Sequence, residues 1–193
     1  MKKINYLTIS FLIILCSCTE VFINYGNNIT NLGGEPIFWK RAPVSVVVDP
    51  EINHERKNQI LLAINDWNTS VNYKMLELKS NNEKIDEFVY IRLTNYTRLP
   101  GANQTLGIAR REYELNSYGI PIYINGCEIK IWRQLPLLKW RKVITHELGH
   151  SLGLNHDHND ISIMTQYMSG MSNIILNEDR TYLQHRLTHL FCR

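Results

Sequence analysis

One segment restricts this chain more than any other: His146-Glu147-Leu148-Gly149-His150-Ser151-Leu152-Gly153-Leu154-Asn155-His156. Side chains four apart on a helix are neighbours, with Cβ atoms about 5–6 Å apart. A helix here therefore aims the imidazoles of His146 and His150 at one point. Neutral imidazole is a good zinc ligand, with Zn–N near about 2.0–2.1 Å. Gly153 can adopt the left-handed conformation that ends a helix and that other residues resist, and the chain can then turn back to deliver His156. Three nitrogen ligands leave a fourth position open for water, the mark of a catalytic rather than a structural site. The fold must therefore hold a helix through residue 150, stop it at 153 and return at 156.

Glu147 has a separate role. Beside the first ligand, it can reach a water activated by the metal without ligating the metal itself. It can take that water's proton during attack on a carbonyl and pass it to the leaving amine. A bare H-E-x-x-H occurs by accident, but five fixed positions at roughly 5% usage each make a chance match on the order of one in ten thousand.

Around this segment the chain alternates between strand and helix signals. Val44, Val46, Val47 and Val48, between Pro43 and Asp49, form a β-branched run that reads as a buried strand. Asn53 can cap a helix over 54–71, whose apolar stripe is Ile60, Ile64, Trp67 and Val71. Strands are expected at Tyr73–Leu78, Phe88–Leu93, Leu106–Glu112 and Ile120–Trp132. Leu135-Pro136 opens the helix that carries the histidines, with Trp140, Ile144, Leu148 and Leu152 as its core face. Asn177 is expected to cap a last helix with Glu178 and Asp179 in its first turn and an apolar stripe of Leu183, Leu187 and Leu190. This order implies an α+β domain, one mixed sheet with long helices packed on it.

The histidine segment resembles the metzincin signature H-E-x-x-H-x-x-G-x-x-H, which a Met-turn follows in that clan of zinc metallopeptidases. Ser162-Ile163-Met164 is similar to that turn, and the resemblance implies that Met164 forms an apolar floor beneath a zinc held by His146, His150 and His156, with Glu147 as general base and acid. It also implies a zincin-like domain: a mixed five-stranded sheet, a helix packed on it, the active-site helix and a C-terminal helix. An edge strand above the zinc would bind extended peptide by strand addition, and Leu106-Gly107-Ile108-Ala109-Arg110 is the best match for that edge. Leu176-Asn177-Glu178-Asp179 resembles the start of the matrixin C-terminal helix. Asp157, after the third histidine, resembles instead the adamalysin-like group. Tyr167 lies three residues after Met164, where astacins and serralysins place a Tyr two residues after, so it is given no role. A pocket for the substrate side chain is expected within 165–175, which contains Tyr167, Met168 and Met171.

The N-terminus reads as an export leader at 1–17. Lys2 and Lys3 precede an apolar run from Ile4 to Leu15 that is too short to span a bilayer, which needs about 20 residues. Leu15-Cys16-Ser17-Cys18 resembles a bacterial lipobox, so Cys18 is expected to carry lipid and hold the protein at the cell envelope; free secretion is the alternative. Residues 18–38 read as an Asn- and Gly-rich tether, and 39–193 as the catalytic domain. No folded pro-domain fits in such a tether, and no cysteine-switch motif is present. Cys127 and Cys192 could pair in an oxidising compartment, or remain two free buried thiols. The Asn-x-Ser/Thr triplets at Asn28, Asn68, Asn95 and Asn103 read as composition.

Hydrophobic residues make up 44% of the chain, enough for a core, and net charge falls from +3 to +1 without Lys2 and Lys3. No basic face points to nucleic acid, and a single copy is expected. Structural calcium held by Asp157, Asn159 and Asp160 is a further expectation, without an EF-hand pattern behind it. His158 could substitute as a ligand, and His185 and His189 share a helix face; solvent exposure is the expectation for all three. The residues thus point to a zinc endopeptidase acting on extended protein or peptide segments. Two other readings share the motif: an envelope protein that keeps the zinc fold without turnover, and a hydrolase of a non-peptide amide.

Overall fold

The computed structural model describes residues 37–80, 87–95, 106–159, 161–165 and 174–191, with the side chains of 189–191 excepted. Six strands and three helices follow in the order β1 (Phe38–Trp39), β2 (Val44–Val48), α1 (His54–Val71), β3 (Leu76–Leu78), β4 (Phe88–Thr94), β5 (Gly107–Leu115), β6 (Pro121–Trp132), α2 (Leu137–Ser151) and α3 (Asn177–Phe191).

The sheet runs β3–β2–β4–β6, all parallel, and β5 closes it as an antiparallel strand on the far edge of β6. The sheet is six-stranded where five strands were expected. The addition is β1, which pairs parallel with Tyr123 and Ile124 of β6. Ile37, Phe38 and Trp39 are buried, so the expected tether ends before Ile37. Trp39 also donates its indole N–H to the Ser151 carbonyl at 2.7 Å, tying β1 to the end of α2.

One sheet face packs on the helices. Val46, Val48, Val89, Ile91, Cys127, Ile129 and Ile131 form that face and are buried against Ile60, Ile64, Trp67, Trp140, Ile144 and Leu148 of α1 and α2. These helical residues are the stripes read from the sequence, spaced so that one side of each helix is apolar. Between the helices, Arg141 holds Asp66 in a bidentate pair at 2.7 and 3.0 Å.

Helix α1 begins as expected, with the Asn53 side chain accepting from the Arg56 N–H. It ends at Asn72, which is left-handed at φ 53°. That reversal delays the next strand, so β3 starts at Leu76 and not at Tyr73. The amide of Asn68 governs this connection: its oxygen accepts from the N–H groups of Met75 and Leu76, and its NH2 donates to the Leu76 carbonyl. The Asn68 triplet therefore lies within a helix with its amide already engaged.

The last helix starts one residue earlier than a cap at Asn177 requires. Leu176 supplies the carbonyl that accepts from Arg180 N–H, which makes Leu176 the capping position. Asp179, three residues on, accepts from the Leu176 N–H, the reciprocal half of a capping box. The Asn177 side chain instead accepts from the Arg180 guanidinium.

Cys127 is a buried free thiol on the helix-facing side of β6. The residues assigned to the leader and lipid anchor, including Cys18, lie outside the described residues, as do Cys192, Asp160, Tyr167, Met168, Met171 and the Leu190 and His189 side chains.

Candidate metal centre

Helix α2 brings His146 and His150 to one side and Glu147 to the adjoining one, as a four-residue interval on a helix requires. Leu152 N–H bonds to the Leu148 carbonyl, Gly153 N–H to His150, and Leu154 N–H returns to Gly149. Gly153 has φ 96°, and a Cβ there would also press on the Ile37 carbonyl at 3.2 Å. The helix stops and the chain reverses, placing His156 against the other two histidines.

The ligand nitrogens of His146, His150 and His156 all lie within 4.8 Å of one another, and no other described His, Cys, Asp or Glu joins them. Nδ1 of His146 lies 2.8 Å from the Ile163 carbonyl, and Nδ1 of His150 lies 2.8 Å from the Leu154 carbonyl. A carbonyl only accepts, so both Nδ1 atoms carry the proton and both Nε2 lone pairs are left for a ligand. Nε2 of His150 and Nε2 of His156 are 3.2 Å apart. A tetrahedral zinc with bonds of about 2.0–2.1 Å has a nitrogen–nitrogen edge of roughly 3.3 Å, so the pair already matches it.

The electrostatics favour the same occupant. Burial pushes His146 down to about 4 and His150 well below the usual histidine range, and it lowers the more exposed His156 as well. All three are therefore neutral ligands near pH 7. Burial pushes the Glu147 carboxyl up to about 8, while an Ala109 N–H bond pulls the other way. Among the described residues Oε2 of Glu147 is buried without a hydrogen-bond partner. A carboxyl in that state beside three convergent lone pairs suits a cation and its water, and a cation would draw the carboxyl back towards its ionised form. The residues fit zinc.

Two glycines let this site close. A Cβ at Gly107 of β5 would lie 2.6 Å from Oε1 of Glu147 and 2.8 Å from Val143. The edge strand thus rests directly on the α2 face that carries Glu147. On another side of α2, a Cβ at Gly149 would lie 2.4 Å from the Met164 sulfur and 2.7 Å from the Trp67 ring. Met164 is fully buried there, an apolar floor packed against the ligand-bearing helix. Its turn is held by Ser162, whose hydroxyl oxygen accepts from the Met164 N–H at 2.9 Å and bonds to the Asp179 carboxylate. Asp157 N–H, beside the third histidine, bonds to the Met164 carbonyl at 2.9 Å.

Other expected residues stand apart. His158 and His185 are exposed, and neither joins the ligand cluster. Asp157 and Asn159 use their side-chain oxygens to accept backbone N–H groups two residues on, at 2.9 and 3.1 Å. Residues that sequence reasoning passed over are Trp67, whose indole donates to the Thr145 carbonyl at 2.8 Å, Asp179, and Arg111. The helix pattern marked Trp67 and Asp179 only as core and first-turn residues, because their bonds are to segments distant in the chain.

A three-histidine cluster on one helix and its return loop, a glutamate under an antiparallel edge strand and a methionine turn below define a zincin-like domain of the metzincin type. A family model for matrixin matches residues 44–186. The chain belongs to the matrixin family, within the metzincin clan of zinc metallopeptidases, and this decides between the matrixin-like and adamalysin-like resemblances.

Among solved structures, it is similar to archaemetzincin from Methanopyrus kandleri, with 17% identity, TM-score 0.52, and coverage of 77% of this chain and 97% of that one. It is also similar to high choriolytic enzyme 1, a hatching enzyme zinc-protease of the medaka fish Oryzias latipes, with 16% identity, TM-score 0.47, and coverage of 81% and 95%. Comparison with curated proteins returns no match.

Proposed function

We propose that this protein is a zinc-dependent endopeptidase that hydrolyses peptide bonds in extended protein segments. The observation that carries this reading is Glu147, buried beside the three histidines and held against the edge strand by Ala109 N–H. Zinc, when bound, supplies a Lewis acid that activates water and polarises the scissile carbonyl. His146, His150 and His156 would hold it, and the carbonyls of Ile163 and Leu154 fix the first two rings.

Glu147 accepts the proton of the attacking water and delivers it to the leaving amine nitrogen. Among the described residues β5 pairs with β6 alone, and main-chain pairing along its other side would hold an extended substrate straight across the site.

Replacing Glu147 with Ala tests the mechanism. The variant is expected to keep one zinc per chain and its fold, and to lose peptide hydrolysis. Wild-type cleavage by that variant would overturn the reading. Export and membrane attachment through Cys18 belong to the same proposal, supported by Lys2, Lys3, the apolar run and the Leu15-Cys16-Ser17-Cys18 motif. Transfer of the Cys18→Ala protein from the membrane to the soluble fraction is the expected result.

A further inference from the structure

We propose that Arg111 is a specificity-determining residue, binding a carboxylate of the peptide that lies along β5. The inference rests on the peptidase reading above and gives it a substrate class: peptides with an acidic side chain, or a free C-terminal carboxylate, close to the bond cleaved.

The placement comes from the strand. Side chains alternate across a sheet, so Gly107, Ala109 and Arg111 share the face that looks onto α2. Gly107 sits over Val143 and Glu147, and Ala109 donates its N–H to Glu147. Arg111 is two residues further, roughly 7 Å along the strand. Its Nη2 lies 3.0 Å from Oδ1 of Asn155, the residue before His156. The guanidinium is therefore fastened at the side of the metal centre where the third ligand returns. It is near enough to His150 to disfavour that ring's protonation.

Among the described residues no carboxylate pairs with it. Asn155 is a neutral amide, and the Tyr113 phenol and the Cys127 thiol opposite it in register also face Arg111, while the Glu147 carboxyl lies towards the Gly107 end of the same strand face. Burial pushes Tyr113 up and Cys127 up to about 12, so both are neutral. Among the described residues the nearby strand carboxylates are engaged elsewhere: Glu128 pairs with Arg92 and Lys130, and Glu114 with Lys40. Glu112 lies over Gly126, one residue away in the strand and so on the other face.

A guanidinium is always charged and presents its donors as a fork that matches a carboxylate. Here it is partly buried, held by an amide, beside a site built for a divalent cation. A cation held by the three histidines and the guanidinium carry charge of the same sign. An anionic ligand group offsets that charge, and a peptide added along β5 can supply one.

Paired peptides differing only as Glu against Gln, at each position around the scissile bond, test this with the purified zinc-loaded protein. A second pair, free acid against C-terminal amide, separates side chain from chain terminus. At one of these positions wild type is expected to favour the carboxylate about tenfold or more in kcat/KM, expressed mainly as a lower KM. Arg111→Gln should bring that ratio near one, Arg111→Lys should keep part of it, and Arg111→Glu should favour Lys over Gln at the same position.

A wild type indifferent to every carboxylate, or an Arg111→Gln protein with the ratio intact, overturns the proposal. So does an equal fall for both peptides in Arg111→Gln and Asn155→Ala, which would make Arg111 only a brace for the His156 loop. Fluorescence anisotropy of the same peptides on Glu147→Gln protein, with and without Arg111→Gln, reads the preference without turnover. Absence of cleavage by wild type would defeat the peptidase reading, while an Arg111-dependent binding difference would still support the carboxylate site.

Discussion

Gly107 and Glu147 are in such close contact that a Cβ on the glycine would fall 2.6 Å from Oε1 and 2.9 Å from Cγ of the glutamate. The edge strand β5 and the Glu147 carboxyl are thus one packed unit. Gly107→Ala should displace the Glu147 carboxyl or lift the strand. An ångström-scale shift at a reacting group can cost about a hundredfold in rate. The expected outcome is a fall in kcat of tenfold to about a hundredfold with zinc content unchanged. Steady-state kinetics with metal analysis checks it, and an unaltered kcat would show that the contact is irrelevant to turnover.

Gly149 has the opposite balance between local and tertiary preference. Alanine is favoured over glycine inside a helix by about 1 kcal/mol. Against that, its Cβ would fall 2.4 Å from the Met164 sulfur and 2.7 Å from the Trp67 ring. Overpacking of this kind costs typically about 1–3 kcal/mol, so Gly149→Ala should lower the denaturant midpoint despite its better helix propensity. Shortening Met164 to Ala in the same chain should recover part of the loss. A rise in the midpoint for the single variant would contradict the packing argument.

Metal removal should destabilise the fold as well as stop hydrolysis, since a ligand bound only by the native state stabilises it. In the metal-free protein His146 is pushed down to about 4 from 6.5. A histidine with a lowered native value binds its proton more readily when unfolded. Its contribution to stability is therefore full above about pH 6.5 and is lost as pH falls towards 4. In thermal melts of chelated protein across this window, the advantage of wild type over His146→Gln should shrink as pH falls. Parallel melting profiles for the two proteins would remove His146 as the cause.

Asp179 works in the other direction. Burial raises its carboxyl to about 6 from 3.8, with Asp157 adding to the rise and the Leu176 N–H and Ser162 bonds opposing it. The native state then holds the proton more tightly than the unfolded chain. That contribution is present below about pH 3.8 and is lost as pH rises through 6. Asp179→Asn keeps a carbonyl oxygen for the same two donors and does not ionise. Its stability relative to wild type should improve by about 1–3 kcal/mol between pH 4 and pH 7.5. Urea titrations at the two pH values measure the difference, and an unchanged difference would rule out this titration.

How much of the molecule was legible depended on the range of the interaction. The metal ligands, Glu147 and the Gly153 stop lie within eleven consecutive residues, where helix geometry alone decides which side chains converge. The cores of α1 and α2 were equally legible, because a four-residue apolar repeat admits one buried face. Asn53 was readable as a cap for the same local reason, whereas Asn177 was not: its shift to the first helical position follows from the Leu176 carbonyl and the reach of Asp179.

The sequence by itself therefore determined, from local spacing, that His146, His150 and His156 converge with Glu147 beside them, and it carried the metzincin resemblance. Tertiary structure decided the rest. It added β1 to the sheet, because Phe38 and Trp39 found partners in Tyr123 and Ile124 some 85 residues away. It set Gly107 against Glu147, Gly149 against Met164 and Trp67, and Arg111 against Asn155. Those contacts join segments that no periodicity connects. They exist because the antiparallel edge strand and the methionine turn close on two sides of one helix.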